Sequence, residues 1–205
     1  MRNKVAEITR KRFIKAGSAA LGALALGSFP FSFLTTGCRI EKNEGGIPVR
    51  TLGKTGEKVS ILCLGGHHVG RINNENEAIS LIRYAIDNGV TFLDNAWEYH
   101  KGRSEKLAGK ALSNGYRDKV FLMTKVHGRD GASAKEQLEQ SLRRLRVDTI
   151  DLCQVHEVIY KDDPDRIFSP GGMLEVLEKA REEGKIRFIG FTGHKDPDIH
   201  LQMLN

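Results

Sequence analysis

VFLMTKVHGRDGASAKEQLEQSLRRLRVDTIDLCQV, residues 120–155, reads as strand, helix, strand. Val120-Phe-Leu-Met-Thr124 and Thr149-Ile-Asp-Leu-Cys-Gln-Val155 are short and nearly all apolar, as strands buried on both faces are. Between them Leu138, Leu142 and Leu145 recur at helical spacing. Ser133 with Glu136 predicts a capping box that opens this helix. Alternation of strand and helix implies a parallel sheet covered by helices.

Outward from this unit the alternation continues. Upstream, Val49–Leu52, a turn at Gly53–Gly56 and Glu57–Ser60 predict a hairpin. Ile61–Leu64 is the first buried strand and ends at Gly65-Gly66. Asn74–Asn88 carries Ala78, Ile79, Leu81, Ile82, Ala85 and Ile86 at helical spacing, and Gly89 ends it. Val90–Leu93 is a strand, and Ser104–Leu112 a helix that stops by Gly115. Downstream, Met173–Glu183 is a helix, Ile186–Ile189 a strand, and Asp196-Pro197 opens a last helix with proline at its first position. That makes five strand–helix units. A dinucleotide-binding open sheet wants GxGxxG after its first strand. The residues there are Gly65-Gly66-His67-His68, so part of a (β/α)8 TIM barrel is favoured.

The bulk properties exclude some classes. The chain has 205 residues, 40% apolar and 28% charged, as in ordinary globular domains. Of the net charge of +6, five units sit in residues 1–37, where Arg2, Lys4, Arg10, Lys11, Arg12 and Lys15 face only Glu7. The near-neutral remainder gives no footprint for nucleic acid. Cys38, Cys63 and Cys153 are odd in number and widely spaced, which suggests neither a disulfide framework nor a metal site. Cys63 and Cys153 read as small buried apolar residues.

Residues 1–37 read as an export signal: a basic start, then the uncharged run Ala16–Leu34. Thr9–Lys15 resembles a twin-arginine motif, with Lys11 in the second arginine position. Leu34–Cys38 resembles a bacterial lipobox, with Thr35 where a large apolar residue is usual. Cys38 is read either as a lipid attachment point or as an unmodified cysteine. The expected location is outside the cytoplasm, periplasmic or lipid-anchored. The expected partners there are the export machinery, and the membrane only through the signal or a lipid. Residues 38–46 read as a flexible tether, and residues 47–205 as the folded body.

In a barrel of this kind the residues just past each strand face one site. They are His67 and His68; Asp94, Trp97 and Tyr99; Lys125 and His127; His156 and Glu157; and Thr192 and His194. A tyrosine hydroxyl, with a reference pKa near ~10, is a poor acid at neutral pH. An ammonium beside it favours the phenolate. Tyr99, Lys125 and Asp94 can play acid, ammonium and counter-ion. His156 can donate a hydrogen bond to a carbonyl oxygen. His67 and Trp97 are expected to touch substrate. His100, His127 and His200 are read as surface or loop residues, and Arg143, Arg144 and Arg146 as a solvated face. Gly65 and Gly66 suggest close approach of a ligand or of the next element.

These residues in this order resemble the aldo/keto reductase family. The resemblance runs through residues 47–205. It is carried by Arg50–Gly56 with Val59-Ser60, Phe92-Leu-Asp94-Asn-Ala-Trp-Glu-Tyr99, Gly102-Arg-Ser104-Glu105, Gly109–Leu112, Met123-Thr-Lys125, Asp151-Leu-Cys-Gln-Val-His156 and Gly184–Gly190. It implies Asp94, Tyr99, Lys125 and His156 as a catalytic tetrad acting on a small-molecule carbonyl. It implies NADP as cofactor, NAD being the alternative. Gly66, Asp94, Thr192 and Gly193 would contact that cofactor, and His67, Trp97 and His156 the substrate. No metal is called for. Asn95 stands where the family usually has Thr, and Thr192-Gly193 where it has Ser-Asn. The chain offers about five of the eight units, without the family's later strands that hold the rest of the nucleotide. The polypeptide alone is therefore expected to bind cofactor poorly and to lack a stable fold. Two rivals fit the residues. One is a metal-dependent hydrolase barrel using His67, His68, Asp94, His156 and His194. The other is a non-catalytic nucleotide-binding fragment.

Overall fold

A computed structural model describes residues 41–205. The readings of the export segment, the twin-arginine-like stretch and Cys38 lie outside the described residues. Strands β1 (Val49–Thr51) and β2 (Lys58–Ser60) form an antiparallel hairpin that pairs Val49 with Ser60. Then follow β3 (Cys63–Gly65), α1 (Gly66–Val69), α2 (Glu75–Asp87), β4 (Phe92–Asp94) and α3 (Arg103–Ala111). After them come β5 (Phe121–Val126), α4 (Gly131–Leu145), β6 (Ile150–Val155), α5 (Asp163–Phe168), α6 (Met173–Glu182), β7 (Ile186–Phe191) and α7 (Pro197–Leu204). The five strands β3 to β7 pair in chain order, all parallel. They make an incomplete (β/α)8 barrel with the hairpin separate from its sheet. Among the described residues no helix is long and apolar enough to cross a membrane.

The two-residue period of the strands sorts side chains onto two faces. Leu93, Leu122, Val126, Cys153 and Val155 pack in one cluster with Ala78, Ile82, Leu107, Leu138, Leu142 and Leu177 of the helices. Phe121, Met123 and Leu152 join Val59 of the hairpin, with Leu52, Phe92 and Phe188 packed around them, on the inner face. The register stacks this face in layers. Asp94, Met123, Leu152 and Phe188 are successive cross-strand partners, and one layer further along are Lys125, Gln154 and Gly190. A charged pair at the C-terminal end of an apolar inner face is therefore built into the alternation of β4 and β5.

Several sequence expectations shift. The capping box gives way to Asp130, whose side chain accepts from the Ser133 amide at 2.9 Å, so α4 begins earlier and Ser133 lies inside it. The backbone there is also bridged to Gly172, which fixes Asp130 ahead of the first turn. Helices α1 and α5 were not foreseen, because four and six residues carry too little periodicity to read. Cys63 is exposed rather than buried, since β3 is an edge strand, whereas Cys153 is buried. Of the tether, residues 41–46 are held in place. The Asn43 amide donates to the Gly89 carbonyl at 2.6 Å, and the Val49 amide to the Glu41 carbonyl at 2.9 Å.

Buried charges fasten the layers. Asp151 of β6 accepts from the Leu122 amide at 2.8 Å, from Arg117 at 2.7 Å and from Arg187 at 2.7 Å, joining β5, β6 and β7. Glu105 of α3 is fully buried. It accepts from the Thr124 hydroxyl at 2.7 Å and from Arg144 at 3.2 Å, and burial pushes its carboxyl above the usual range. Arg144 also donates to the Trp97 carbonyl and to Gln140, both at 2.9 Å, so it does not belong to a solvated face. Removing one member of a buried pair strands the other charge, typically at ~3–5 kcal/mol. Arg144→Ala is expected to lower stability by about 3 kcal/mol in urea unfolding. A loss below about 1 kcal/mol would mean that the pair behaves as a surface ion pair.

Candidate active site

The last residue of β4 and the last but one of β5 place Asp94 and Lys125 side by side on the inner face. Beyond β4 the chain keeps following β5. The Asn95 amide bonds the Met123 carbonyl and the Trp97 amide the Lys125 carbonyl, both at 2.9 Å. This brings the Asn95 carbonyl onto the Lys125 ammonium at 2.8 Å. Lys125 is 5% exposed. Its ammonium forms an ion pair with Asp94 and donates to the Tyr99 hydroxyl at 3.2 Å. Three N–H donors thus meet three acceptors, which is what a buried ammonium requires.

Tyr99 is folded back over Lys125 by a tight turn. His100 (φ 52°), Lys101 (φ 56°) and Gly102 (φ 80°) are consecutively left-handed. Two of these are not glycine, a conformation that costs energy and is held only where the surroundings impose it. Here a ring nitrogen of His100 lies 2.7 Å from the His67 carbonyl, and the Lys101 amide bonds the Glu98 carbonyl at 2.9 Å. His100 is therefore a structural clamp of the rim and not a free loop residue. Glu157, next to His156, is left-handed as well (φ 52°).

His156 follows β6, and its amide bonds the Val126 carbonyl at 2.9 Å. Its ring stands edge-on to Tyr99, centroids 5.9 Å apart, and the residue is 7% exposed. Burial first, then the Lys125 charge, push its pKa down to about 4. At neutral pH the imidazole is neutral and carries one N–H. The unfolded chain binds a proton below a pH of ~6.5 while the folded chain does not. The stability contributed by His156 is intact above that pH and lost as pH falls towards about 4.

The four tetrad residues thus come together. His67 joins them, its ring edge-on to Tyr99 at 5.2 Å, while His68 is exposed. The Trp97 indole N–H bonds Gln140 at 2.9 Å and the Arg144 guanidinium lies 5.5 Å from its ring, so it also ties the β4 loop to α4. At Gly66 the close neighbours are the Ser104 hydroxyl, 2.6 Å from where a Cβ would stand, and Asn95, so the next element approaches it closely. Thr192 and Gly193 follow β7. A Cβ at Gly193 would lie 2.4 Å from both His200 and the Val158 carbonyl, so α7 leaves room only for glycine.

The sequence did not single out the Asn95 carbonyl or Glu98, and His127, just past β5, read as a surface or loop residue. His127 lies beside His156, ring centroids 6.3 Å apart, and Glu98 Oε1 approaches His156 Nδ1 to 3.3 Å. The one available signal was Glu98 standing directly before Tyr99 in the segment that bears the tyrosine. Among the described residues, the metal set of the rival hydrolase reading is not assembled: His67, His68, Asp94 and His194 do not gather around His156 as ligands.

Residues 61–203 match the model of the aldo/keto reductase family. The chain is 35% identical over 157 residues to the aldo-keto reductase YhdN of Bacillus subtilis, covering 69% of this chain and 46% of YhdN. It is 32% identical over 158 residues to L-galactose dehydrogenase of Arabidopsis thaliana, covering 72% and 49% respectively. Among solved structures it is similar to the holo form of aldo-keto reductase AKR11C1 from Bacillus halodurans. The TM-score is 0.67 at 30% identity, over 77% of this chain and 54% of that one. It is also similar to an aldo-keto reductase from Klebsiella pneumoniae in complex with NADPH, with a TM-score of 0.61 at 28% identity over 73% and 50%. The chain spans about half the length of the curated relatives it matches.

Followed by NMR, the His156 ring is expected to titrate at about pH 4. A midpoint at the ordinary value of ~6.5 would contradict the effect assigned to its burial.

Proposed function

This chain belongs to the aldo/keto reductase family, and on that premise we propose that the protein carrying it reduces an aldehyde or ketone to an alcohol, or runs the reverse, with NADP. The reading rests on one observation: the buried Lys125 ammonium, paired with Asp94, reaches the Tyr99 hydroxyl at 3.2 Å beside a neutral His156.

The residues present fit the nicotinamide end of such a cofactor. Thr192 is pinned between β6 and its following loop, its amide on the Val155 carbonyl at 2.9 Å and its carbonyl accepting from Val158 at 2.7 Å. It brings a hydroxyl to the C-terminal rim, and Gln154 offers an amide one strand away. That donor and acceptor set suits a carboxamide. A nucleotide held there would supply the hydride that the carbonyl carbon accepts.

The chain's own residues manage the proton. Tyr99 gives its hydroxyl proton to the carbonyl oxygen as negative charge develops there. The Lys125 ammonium, already donating to the Tyr99 oxygen, stabilises the phenolate that remains. Asp94 and the Asn95 carbonyl hold that ammonium in place. His156 donates its one N–H to the carbonyl oxygen and aligns it with Tyr99.

Tyr99→Phe keeps the ring and removes the proton. With NADPH and a small aldehyde both well above their KM values, the substitution is expected to lower kcat by roughly 10²–10⁴-fold. Turnover within a few fold of the parent would remove Tyr99 from the role of acid.

A further inference from the structure

The rim holds a second constellation, which shares only His156 with the residues assigned to carbonyl reduction. Glu98, from the turn after β4, His127, directly after β5, and His156, directly after β6, each offer one ligand atom, and these atoms lie within 4.8 Å of one another. Three adjacent strands thus aim two imidazoles and a carboxylate at one point. We propose that Glu98, His127 and His156 form a binding site for a divalent transition-metal ion of the zinc type, with solvent completing its coordination.

Four observations carry this. First, Nδ1 of both His127 and His156 is buried without a hydrogen-bond partner among the described residues. Buried polar atoms are nearly always satisfied, and an orphan calls for a partner that is a ligand, an ion or water. Second, the spacing suits zinc. Bonds of about 2.0–2.1 Å at tetrahedral angles place ligand atoms roughly 3.3 Å apart. His156 Nδ1 and Glu98 Oε1 stand 3.3 Å apart. Third, the charges allow a cation. The two nearby cations are already answered, Lys125 by Asp94 and Arg129 by Asp163 at 2.7 Å, whereas Glu98 has no lysine or arginine partner among the described residues. Fourth, the ligands are preorganised. The His127 amide is fixed by Gln137 at 2.7 Å, its carbonyl by Arg129 at 2.9 Å, and the His156 amide by Val126.

Two imidazoles and one carboxylate are the donor set of zinc sites that keep an open coordination position. Imidazole ligation favours zinc, copper, nickel or iron over magnesium or calcium. Glu98 is exposed and free to adjust as the set closes. The consequence rests on the reductase reading: a metal on His156 takes the imidazole that would otherwise align the carbonyl. Metal and carbonyl substrate would then exclude each other.

The test uses the full chain, stripped with chelator and titrated with cobalt(II), whose visible d–d bands report imidazole and carboxylate ligation directly. One cobalt per chain, displaced by zinc, is the expected result. Glu98→Gln and His127→Gln should each weaken binding by roughly tenfold or more, while His68→Gln, outside the trio, leaves it unchanged. Because Glu98 is exposed, Glu98→Gln alters charge without disturbing packing. Zinc should inhibit carbonyl reduction in the parent and much less in His127→Gln. Absence of cobalt bands, or binding that survives both ligand substitutions, overturns the site. Cobalt bands that respond to both ligand substitutions uphold the metal site whether or not the chain reduces a carbonyl, and the reductase reading stands or falls on the Tyr99→Phe comparison.

Discussion

An ammonium taken out of water has to be given a counter-charge and an acceptor for every N–H, and Lys125 sits at the centre of that demand. Unpaired, such a group would cost several kcal/mol or give up its proton. Its answer comes from three different kinds of group: the Asp94 carboxylate, the Asn95 carbonyl and the Tyr99 hydroxyl. Each is delivered by a separate feature of the fold. Asp94 comes from the alternation of β4, Asn95 from the loop that continues along β5, and Tyr99 from a turn with three successive left-handed residues. The arrangement that pairs the lysine is the same one that holds the Tyr99 hydroxyl at the rim.

The scaffold repeats this logic away from the site. Asp151 gathers Arg117, Arg187 and a β5 amide, and Glu105 gathers Thr124 and Arg144. These partly buried networks lie between strands and helices whose other contacts are non-directional apolar packing. They add directional bonds that tie β5 to its neighbouring strands and helices. His156 follows a different rule. Burial keeps it neutral, and that neutrality suits it to donate one hydrogen bond or to accept a metal.

What could be read in the sequence was what depends on local spacing. Leu138, Leu142 and Leu145 announced α4, Asp196 and Pro197 opened α7 as expected, and the alternation fixed a parallel sheet. The cluster of Asp94, Tyr99, Lys125 and His156 was legible because each member stands at or just past the C-terminal end of a strand, within a run of segments resembling one family. What escaped depends on how loops meet in space. Asp130 replaced Ser133 as cap because its neighbours bridge to Gly172, forty-two positions away in the numbering. Trp97 turned to α4 because Gln140 and Arg144 lie one helical turn apart and both face it. His127 looked like a loop residue, and only the approach of three strand ends sets it beside His156 and Glu98.

Whether Lys125 and Tyr99 act as one unit is best decided by a double-mutant cycle on kcat/KM with Lys125→Met and Tyr99→Phe. Groups that act together are grossly non-additive when removed. The double variant should then be no slower than the slower single variant. Multiplication of the two single losses would show that the ammonium and the phenol contribute independently, contrary to the site described above.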